Sequence, residues 1–337
     1  MTWSELDWPA LDRLRDRFLR GAADASPYWQ TASDLACYDF TYGERIGWKW
    51  DHVLRELRLR GWQPRSRTVL DWGCGSGIAA RRVISFIGAE KFAALTVGDH
   101  SPLATVFAEE AARAAFPSLA VAQATPGFLA SDEPVGLLLI SHVLNELDPA
   151  GLAALQRLVA RANEVLWVEP GTHDVSRQLG ARRDSWLGQF EIVAPCTHAT
   201  ACPILAPGNE RHWCHFFAPP PGEIFADSNW VKFGQRAGID LRSLPYCFVA
   251  LARRDSASAR GAANLSRVIG RPEHFKPYAR LLNCDATGLR ELELPKRADP
   301  ALFKQLDRTK APLVYHWQRE GDKILGGEAL AQTDAST

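Results

Sequence analysis

The chain has 337 residues, 46% of them hydrophobic and 23% charged, with 39 basic and 39 acidic side chains. Zero formal net charge excludes a molecule that is basic throughout and grips nucleic acid by bulk attraction, so any such surface is a local patch. The longest apolar run, 135–144, is interrupted by Ser141 and His142 and is too short to span a bilayer. The length itself predicts about two domains.

Residues 1–63 read as a helical N-terminal region. Leu11, Leu14, Phe18 and Leu19 make one apolar stripe, and Val53, Leu54, Leu57 and Leu59 make another. The aromatic segment between them, Tyr28 to Tyr42, has no assignable pattern. Glu5, Asp7, Asp12 and Asp16, with no apolar signal core, predict a cytoplasmic protein without a leader. In that compartment the seven cysteines are thiols or metal ligands rather than a disulfide framework.

From residue 64 to 253 strands and helices alternate. Strands are expected at 68–71, 94–99, 119–123, 135–141 and 165–169, and helices at 76–88, 102–116 and 149–162, the last opened by Asp148. A further helical stretch follows at 172–190. This order implies a mostly parallel sheet with crossover helices. It is broken by a Cys-, His- and Pro-rich segment at 194–221, after which a helix near 224–237 and a strand near 246–251 are expected. Residues 254–263 read as a linker, 264–320 as a small β-rich appendage, and 326–337 as a disordered tail.

The strand ending at Asp71 runs into Trp72-Gly73-Cys74-Gly75-Ser76-Gly77. Glycines there let backbone approach a ligand where a side chain would clash, and the N–H groups opening the next helix face the same ligand. Dinucleotide spacing would need a small residue where Ile78 stands; Gly77 gives the methyltransferase-type spacing. Asp99, 22 residues after Gly77, stands where a carboxylate holds ribose hydroxyls. Together Asp71, Gly73, Gly75, Gly77 and Asp99 predict a site for S-adenosylmethionine. After the fourth strand, Asn145 and Glu146 are either ligand contacts or part of the cap of the next helix. No residue is singled out as the catalytic acid or base.

Cys196, Cys202 and Cys214 fall in one loop with His198, His212 and His215 among them. Cys37, Cys74 and Cys247 fit the role of small core side chains; three cysteines in one Pro/His-rich loop do not. Thiolate softness points to zinc or an iron–sulfur cluster. The tight knuckles of structural zinc are missing, and on spacing alone the fourth ligand is Cys284, Cys247 or a histidine.

Glu169-Pro170-Gly171-Thr172, an Arg-containing helix, Val193-Ala194-Pro195-Cys196-Thr197-His198, Cys202-Pro203 and Trp213-Cys214-His215-Phe216 occur in a fixed order. That order resembles the small-ribosomal-subunit methyltransferase-like family, which includes mitochondrial small-subunit assembly factors and their bacterial relatives. The likeness covers roughly residues 40–320. It implies a Rossmann methyltransferase fold, binding to small-subunit rRNA, and a four-cysteine [4Fe–4S] site. On the family pattern the fourth ligand follows an Arg-Pro and a His, which here are Arg271-Pro272, His274 and then Cys284. The gap from Cys202 to Cys214 is somewhat long for that pattern.

The fold class expected is therefore α/β: a Rossmann-type S-adenosylmethionine-dependent methyltransferase fold with a helical N-terminal region, a Cys-rich insertion and a β-rich appendage. Between Arg253 and Lys310 there are 13 Lys/Arg against 7 Asp/Glu, which puts a phosphate-binding surface on the appendage, at Arg267, Arg271 and Arg280. The leading reading is an rRNA methyltransferase of the small ribosomal subunit. Its rivals are a non-catalytic rRNA-binding assembly factor and a small-molecule methyltransferase. Zinc is the alternative to the cluster, and nothing signals an oligomer.

Overall fold

The computed structural model describes residues 1–20, 28–254, 265–307 and 312–330. The chain divides into two compact units, one of Met1–Leu54, Gln63–Glu169 and Pro220–Leu244, the other of Arg55–Trp62, Pro170–Pro219 and Pro245–Thr337. Among the described residues no helix is long and apolar enough to cross a membrane.

In the first unit five parallel strands lie in the order β3-β2-β1-β4-β5: β1 Thr68–Trp72, β2 Ala94–Gly98, β3 Ala120–Gln123, β4 Val135–Ser141 and β5 Ala162–Pro170. Leu137 to Ile140 and Val165 to Val168 are buried, as expected of strands covered on both faces. The order reverses between β1 and β4, where doubly wound sheets open a crevice at the carboxyl ends of their strands. The crossover helices are α4 Ile78–Ile87, α5 Pro102–Ala115, α6 Pro126–Ala130 and α7 Pro149–Arg161. Three of them start alike, with a Ser, Thr or Asp N-cap followed by proline: Ser101-Pro102, Thr125-Pro126 and Asp148-Pro149. The cap oxygen accepts an otherwise orphaned N–H, and proline sits where no N–H is needed. Asp148 alone caps α7, accepting from the Gly151 N–H at 2.7 Å, so Asn145 and Glu146 are not cap residues.

The N-terminal region is helical: α1 Trp8–Arg20, α2 Ala32–Tyr38 and α3 Glu44–Leu59. Leu11, Leu14, Val53, Leu54 and Leu57 are buried, whereas Leu59 is 37% exposed and Phe18 and Leu19 lie outside the described side chains. The aromatic segment is ordered as well. Thr31 caps α2 in a reciprocal box with Asp34, and one π-helical turn, Asp39–Gly43, joins α2 to α3.

In the second unit α8 His173–Ser185 precedes β6 Phe190–Ala194, which pairs antiparallel with β8 Leu244–Arg253; β7 Phe216–Ala218 also pairs with β8. The stretch expected to be helical to residue 190 thus ends at Ser185, and Phe190 opens a strand. The expected helix at 224–237 resolves in the first unit into a short turn, Gly222–Phe225, and α9 Ser228–Ala237.

The appendage is a closed five-stranded barrel: β9 Ser266–His274, β10 Tyr278–Asp285, β11 Gly288–Pro295, β12 Val314–Glu320 and β13 Lys323–Ala329, with α10 Pro300–Leu306 between β11 and β12. Val268, Leu281, Leu292, Leu294, Leu302, Leu306, Tyr315 and Ile324 form its core. The last strand corrects both the 320 boundary and the start of the tail, since residues 326–329 are strand. Residues 255–264, most of the expected linker, and 331–337 lie outside the described residues. The architecture is α/β, with a parallel Rossmann-type sheet and a small β-barrel at the C-terminal side.

Candidate functional sites

Gly73, Gly75 and Gly77 all have left-handed backbones, at φ 69°, 52° and 75°, a region that costs other residues free energy. Their surroundings differ. A Cβ at Gly73 would fall 2.6 Å from Val143 Cγ1, and one at Gly77 2.9 Å from Ala108 Cβ, so those two glycines serve close packing on the loop after β4 and on α5. A Cβ at Gly75 meets nothing within 4 Å. Gly75 is the open point of the turn, the one a ligand can approach.

Asp99 stands directly beside it. The Gly75 N–H donates to Asp99 Oδ2 at 2.9 Å, and the Ser101 N–H donates to Oδ1 at 2.9 Å. These bonds and His100 hold the carboxyl below the usual range despite its burial, so it stays ionised. Oδ1 also lies 3.1 Å from His100 Nδ1, so Oδ2 is the oxygen that keeps a lone pair for a hydroxyl. Asp71 is placed differently from the expectation. It is fully buried, Oδ2 accepts from the Ala80 N–H at 3.2 Å, and Oδ1 has no partner among the described residues. With no surface open to a ligand, Asp71 acts by holding the start of α4 beneath the turn. Burial and the neighbouring Asp99 charge push its carboxyl up to about 7.

Around this turn the fold gathers Glu146, already a candidate from the sequence, with Tyr28 and Tyr38, which sequence patterning missed. Glu146 is solvent-accessible yet crowded by protein, and desolvation followed by the Asp99 charge pushes it up to about 7. Tyr28 and Tyr38 both sense its charge, and the Arg17 guanidinium lies 5.3 Å from the Tyr28 ring centre. The only sequence signal was the aromatic density of 28–42, which has no period to read.

The loop after β4 is held from below by Glu169, which is completely buried. Its Oε1 accepts from the Val143 and Leu144 N–H groups at 3.2 and 3.1 Å and from Trp167 Nε1–H at 2.7 Å, while Oε2 has no partner among the described residues. His142 carries the only positive φ among described non-glycine residues, 58°. Its Nε2 lies 3.0 Å from Lys49 Nζ, and its Nδ1 3.3 Å from Ser141 Oγ, which accepts from Trp50 Nε1–H. Burial, with Lys49 and Arg45, keeps the imidazole neutral. Strain of this kind concentrates at functional sites.

In the second unit the cysteine loop has little regular structure, and three arginines satisfy its carbonyls. Arg177 and Arg183 come from α8. Arg177 Nη1 donates to Ile204, Asn209 and His212 carbonyls at 2.8, 3.1 and 2.9 Å. Arg183, 2% exposed, donates to the Thr200 carbonyl and, at 3.0 Å, to that of His198. Arg60 donates to the Val193, Pro195 and Cys196 carbonyls. The Arg-containing helix of the motif order is therefore a scaffold for the loop.

Cys196, Cys202, Cys214 and Cys284 lie close enough for their charges to be felt by one another. Burial is the main reason the Cys202, Cys214 and Cys284 thiols are raised, Cys202 to about 11, with the repulsion of neighbouring cysteines adding to it. Cys284 Sγ is 3.5 Å from His198 Nε2. Among the described residues, however, no three His, Cys, Asp or Glu side chains are arranged to hold a metal ion. Cys37 and Cys74 are buried in the first unit and Cys247 in the second, where its Sγ is 3.4 Å from the Pro170 carbonyl; all three are core thiols.

The three arginines expected to form one phosphate surface have separate surroundings. Arg267 is 2% exposed and inside: it pairs twice with Glu56, lies 3.8 Å from the centre of the Phe216 ring, and donates to the Pro195 carbonyl. It is structural, which corrects the surface assignment. Arg271 is exposed over Phe217 at 4.0 Å, and Arg280 is partly exposed beside Phe275 and Tyr278.

No curated protein matches the chain at the level of sequence. Among solved structures it is similar to magnesium protoporphyrin IX methyltransferase from Synechocystis PCC 6803 with bound SAH, at 13% identity and a TM-score of 0.38 over 74% of this chain and 97% of that one. It is also similar to the 16S rRNA methylase RmtB, at 14% identity and a TM-score of 0.36 over 74% and 76% of the two chains. A third is a ribosomal protein L11 methylase from Lactobacillus delbrueckii subsp. bulgaricus, at 16% identity and a TM-score of 0.34 over 60% and 77%. The family described as "Mitochondrial small ribosomal subunit Rsm22" matches residues 51–305, most of the chain, and the protein belongs to that family.

Proposed function

We propose that this protein is an S-adenosylmethionine-dependent methyltransferase acting on small-subunit rRNA during ribosome assembly in the cytoplasm. The observation that carries the reading is the ionised Asp99 carboxylate tied to the N–H of Gly75, the one glycine of the turn with open space before it. Family membership directs that site toward the small ribosomal subunit. When bound, S-adenosylmethionine supplies an electrophilic methyl on a sulfonium. Asp99 would hold its ribose, Gly75 would admit it to the backbone, and Glu146 would face it from the loop that Glu169 supports. The chain's contribution is mainly orientation. Cys196, Cys202, Cys214 and Cys284 would hold one [4Fe–4S] cluster; the family likeness is what favours this over zinc, since the described side chains are not gathered as a metal site.

Asp99→Ala is expected to weaken S-adenosylmethionine about 10- to 150-fold, the worth of hydrogen bonds to a charged group, as measured by calorimetry. A wild-type protein that binds no cofactor, or fails to transfer labelled methyl to immature small subunits, sinks the reading. The two results separate, because binding without transfer leaves an assembly factor.

Cofactor affinity should also depend on pH. Burial, with the Asp99 charge, pushes the Glu146 carboxyl up to about 7, and a sulfonium beside it favours the carboxylate. Below that pH binding must displace a proton, so affinity rises as pH rises through about 7 and then levels. The neutral demethylated product lacks the charge and should show a flatter profile. Glu146→Gln should abolish the rise; a rise that survives it places the titrating group elsewhere.

A further inference from the structure

The barrel has a particular connectivity. β9, β10 and β11 form an antiparallel meander, α10 follows, β12 returns antiparallel to β9, and β13 pairs parallel with β11. That is the plan of the OB-fold, whose second and third strands and first and fourth loops carry oligonucleotide or oligosaccharide ligands. Here those parts are β10, β11, the 275–277 loop and the 321–322 loop. Fold alone does not assign a ligand; the side chains on this face do.

Ala279, Leu281 and Asn283 of β10 point into the barrel and are buried, so Tyr278, Arg280, Leu282 and Cys284 line its outer face. The Cys284 end is covered by the cysteine loop through His198. The other end is open. Phe275, 41% exposed, stacks on Tyr278 with ring centres 4.7 Å apart and planes 24° from parallel. The Arg280 guanidinium lies 5.4 and 5.8 Å from the two ring centres, with Glu273 and Glu293 at 3.8 and 3.7 Å from its nitrogens. Lys276, Lys296 and Arg297 are exposed beside the loop, and the Lys296 N–H donates to the Pro277 carbonyl at 2.9 Å.

We propose that Phe275, Tyr278 and Arg280 form a stacking platform for unpaired bases of single-stranded RNA, with Lys276, Lys296 and Arg297 toward its phosphates. An aromatic pair with Phe275 exposed and Tyr278 partly exposed has two open uses in water, and the surrounding cations select a polyanion over a neutral saccharide. Bases present their faces only when unpaired, so the partner is a single strand rather than a duplex. The inference rests on the rRNA reading for the kind of ligand, and adds where on the chain that ligand is held.

The test uses the full-length protein and a single strand of about 12 nucleotides carrying one 2-aminopurine, with the same sequence as a duplex for comparison. The single strand is expected to bind more tightly than the duplex and to quench the 2-aminopurine on stacking. Phe275→Ala and Tyr278→Ala should each weaken binding about 5- to 150-fold and remove the quench, while Phe275→Trp retains both. Lys296→Gln should lower the salt slope by about 0.7 and leave the quench. Thermal unfolding of each variant shows that the barrel remains folded. Equal binding of duplex, or full binding and quench in both alanine variants, overturns the inference. If the single strand does not bind while cofactor and methyl transfer persist, the barrel assignment alone fails.

Discussion

Arg267→Ala is expected to destabilise the protein by about 3 kcal/mol, the low end for breaking a buried ion pair, because Arg60 still partners Glu56. Arg267 and Arg60 share Glu56, with Arg60 at 2.9 Å, and all three side chains are nearly closed to solvent. Both arginines also donate to the Pro195 carbonyl, so the loss reaches the loop that carries Cys196. Truncation removes a cation–aromatic contact with Phe216 as well. Denaturant unfolding measures the loss, with Arg271→Ala as the exposed control, expected within about 0.5 kcal/mol. Arg267→Met should cost less than Arg267→Ala, because it keeps the space beside Phe216 filled while Glu56 retains Arg60. Equal stability of Arg267→Ala and wild type would mean that the ion pair is not buried in solution.

The largest expected effect of all is on metal content. Anaerobically purified protein should be brown and contain iron and sulfide, and Cys284→Ser should remove both, since a serine hydroxyl is a poor ligand for iron. Cys284 is 70 residues beyond Cys214, so a centre joining them closes a long loop and removes much chain entropy. Wild type should therefore lose several degrees of thermal midpoint when iron is stripped, and Cys284→Ser should already sit at the lower value. A colourless protein with one zinc, indifferent to Cys284→Ser, refutes the cluster. His198, within 3.5 Å of Cys284 Sγ, is the side chain to test next in that case.

The parallel sheet was legible because buried strands and capped helices leave local marks: apolar runs, Asp148-Pro149, Ser101-Pro102, and the Gly73–Gly77 turn. The same turn brings Gly75 and Asp99 together, the Gly75 N–H donating to Asp99 Oδ2. Asp71 was misplaced because a carboxylate below a turn and one facing a ligand occupy the same sequence position. Arg267 was misread because counting charges cannot see Glu56, whose pairing is a tertiary event. The barrel's extent was underestimated at β13, Lys323–Ala329, where Gly326-Gly327 weakens the strand pattern and pairing with β12 supplies what propensity lacks. Tyr28 and Tyr38 escaped because only the fold brings them beside the turn, and the bonds Glu169 makes under the loop after β4 were hidden in a motif read only for its order.

The Glu56–Arg267 pair spans 211 positions of chain, and this sets an order on biosynthesis. A helix that emerges early carries an acid whose partner is still unmade. At about 5–20 residues per second, roughly 10–40 s pass between the two. During that interval the second unit, assembled from three separated segments, has no finished interior. Nascent chains stalled before residue 266 should accordingly remain protease-sensitive at 55–62 and 170–219, and become resistant together once β9 is released. Such late, all-at-once closure is what high contact order imposes, and it makes a chain lacking the barrel a substrate for degradation rather than a smaller working protein.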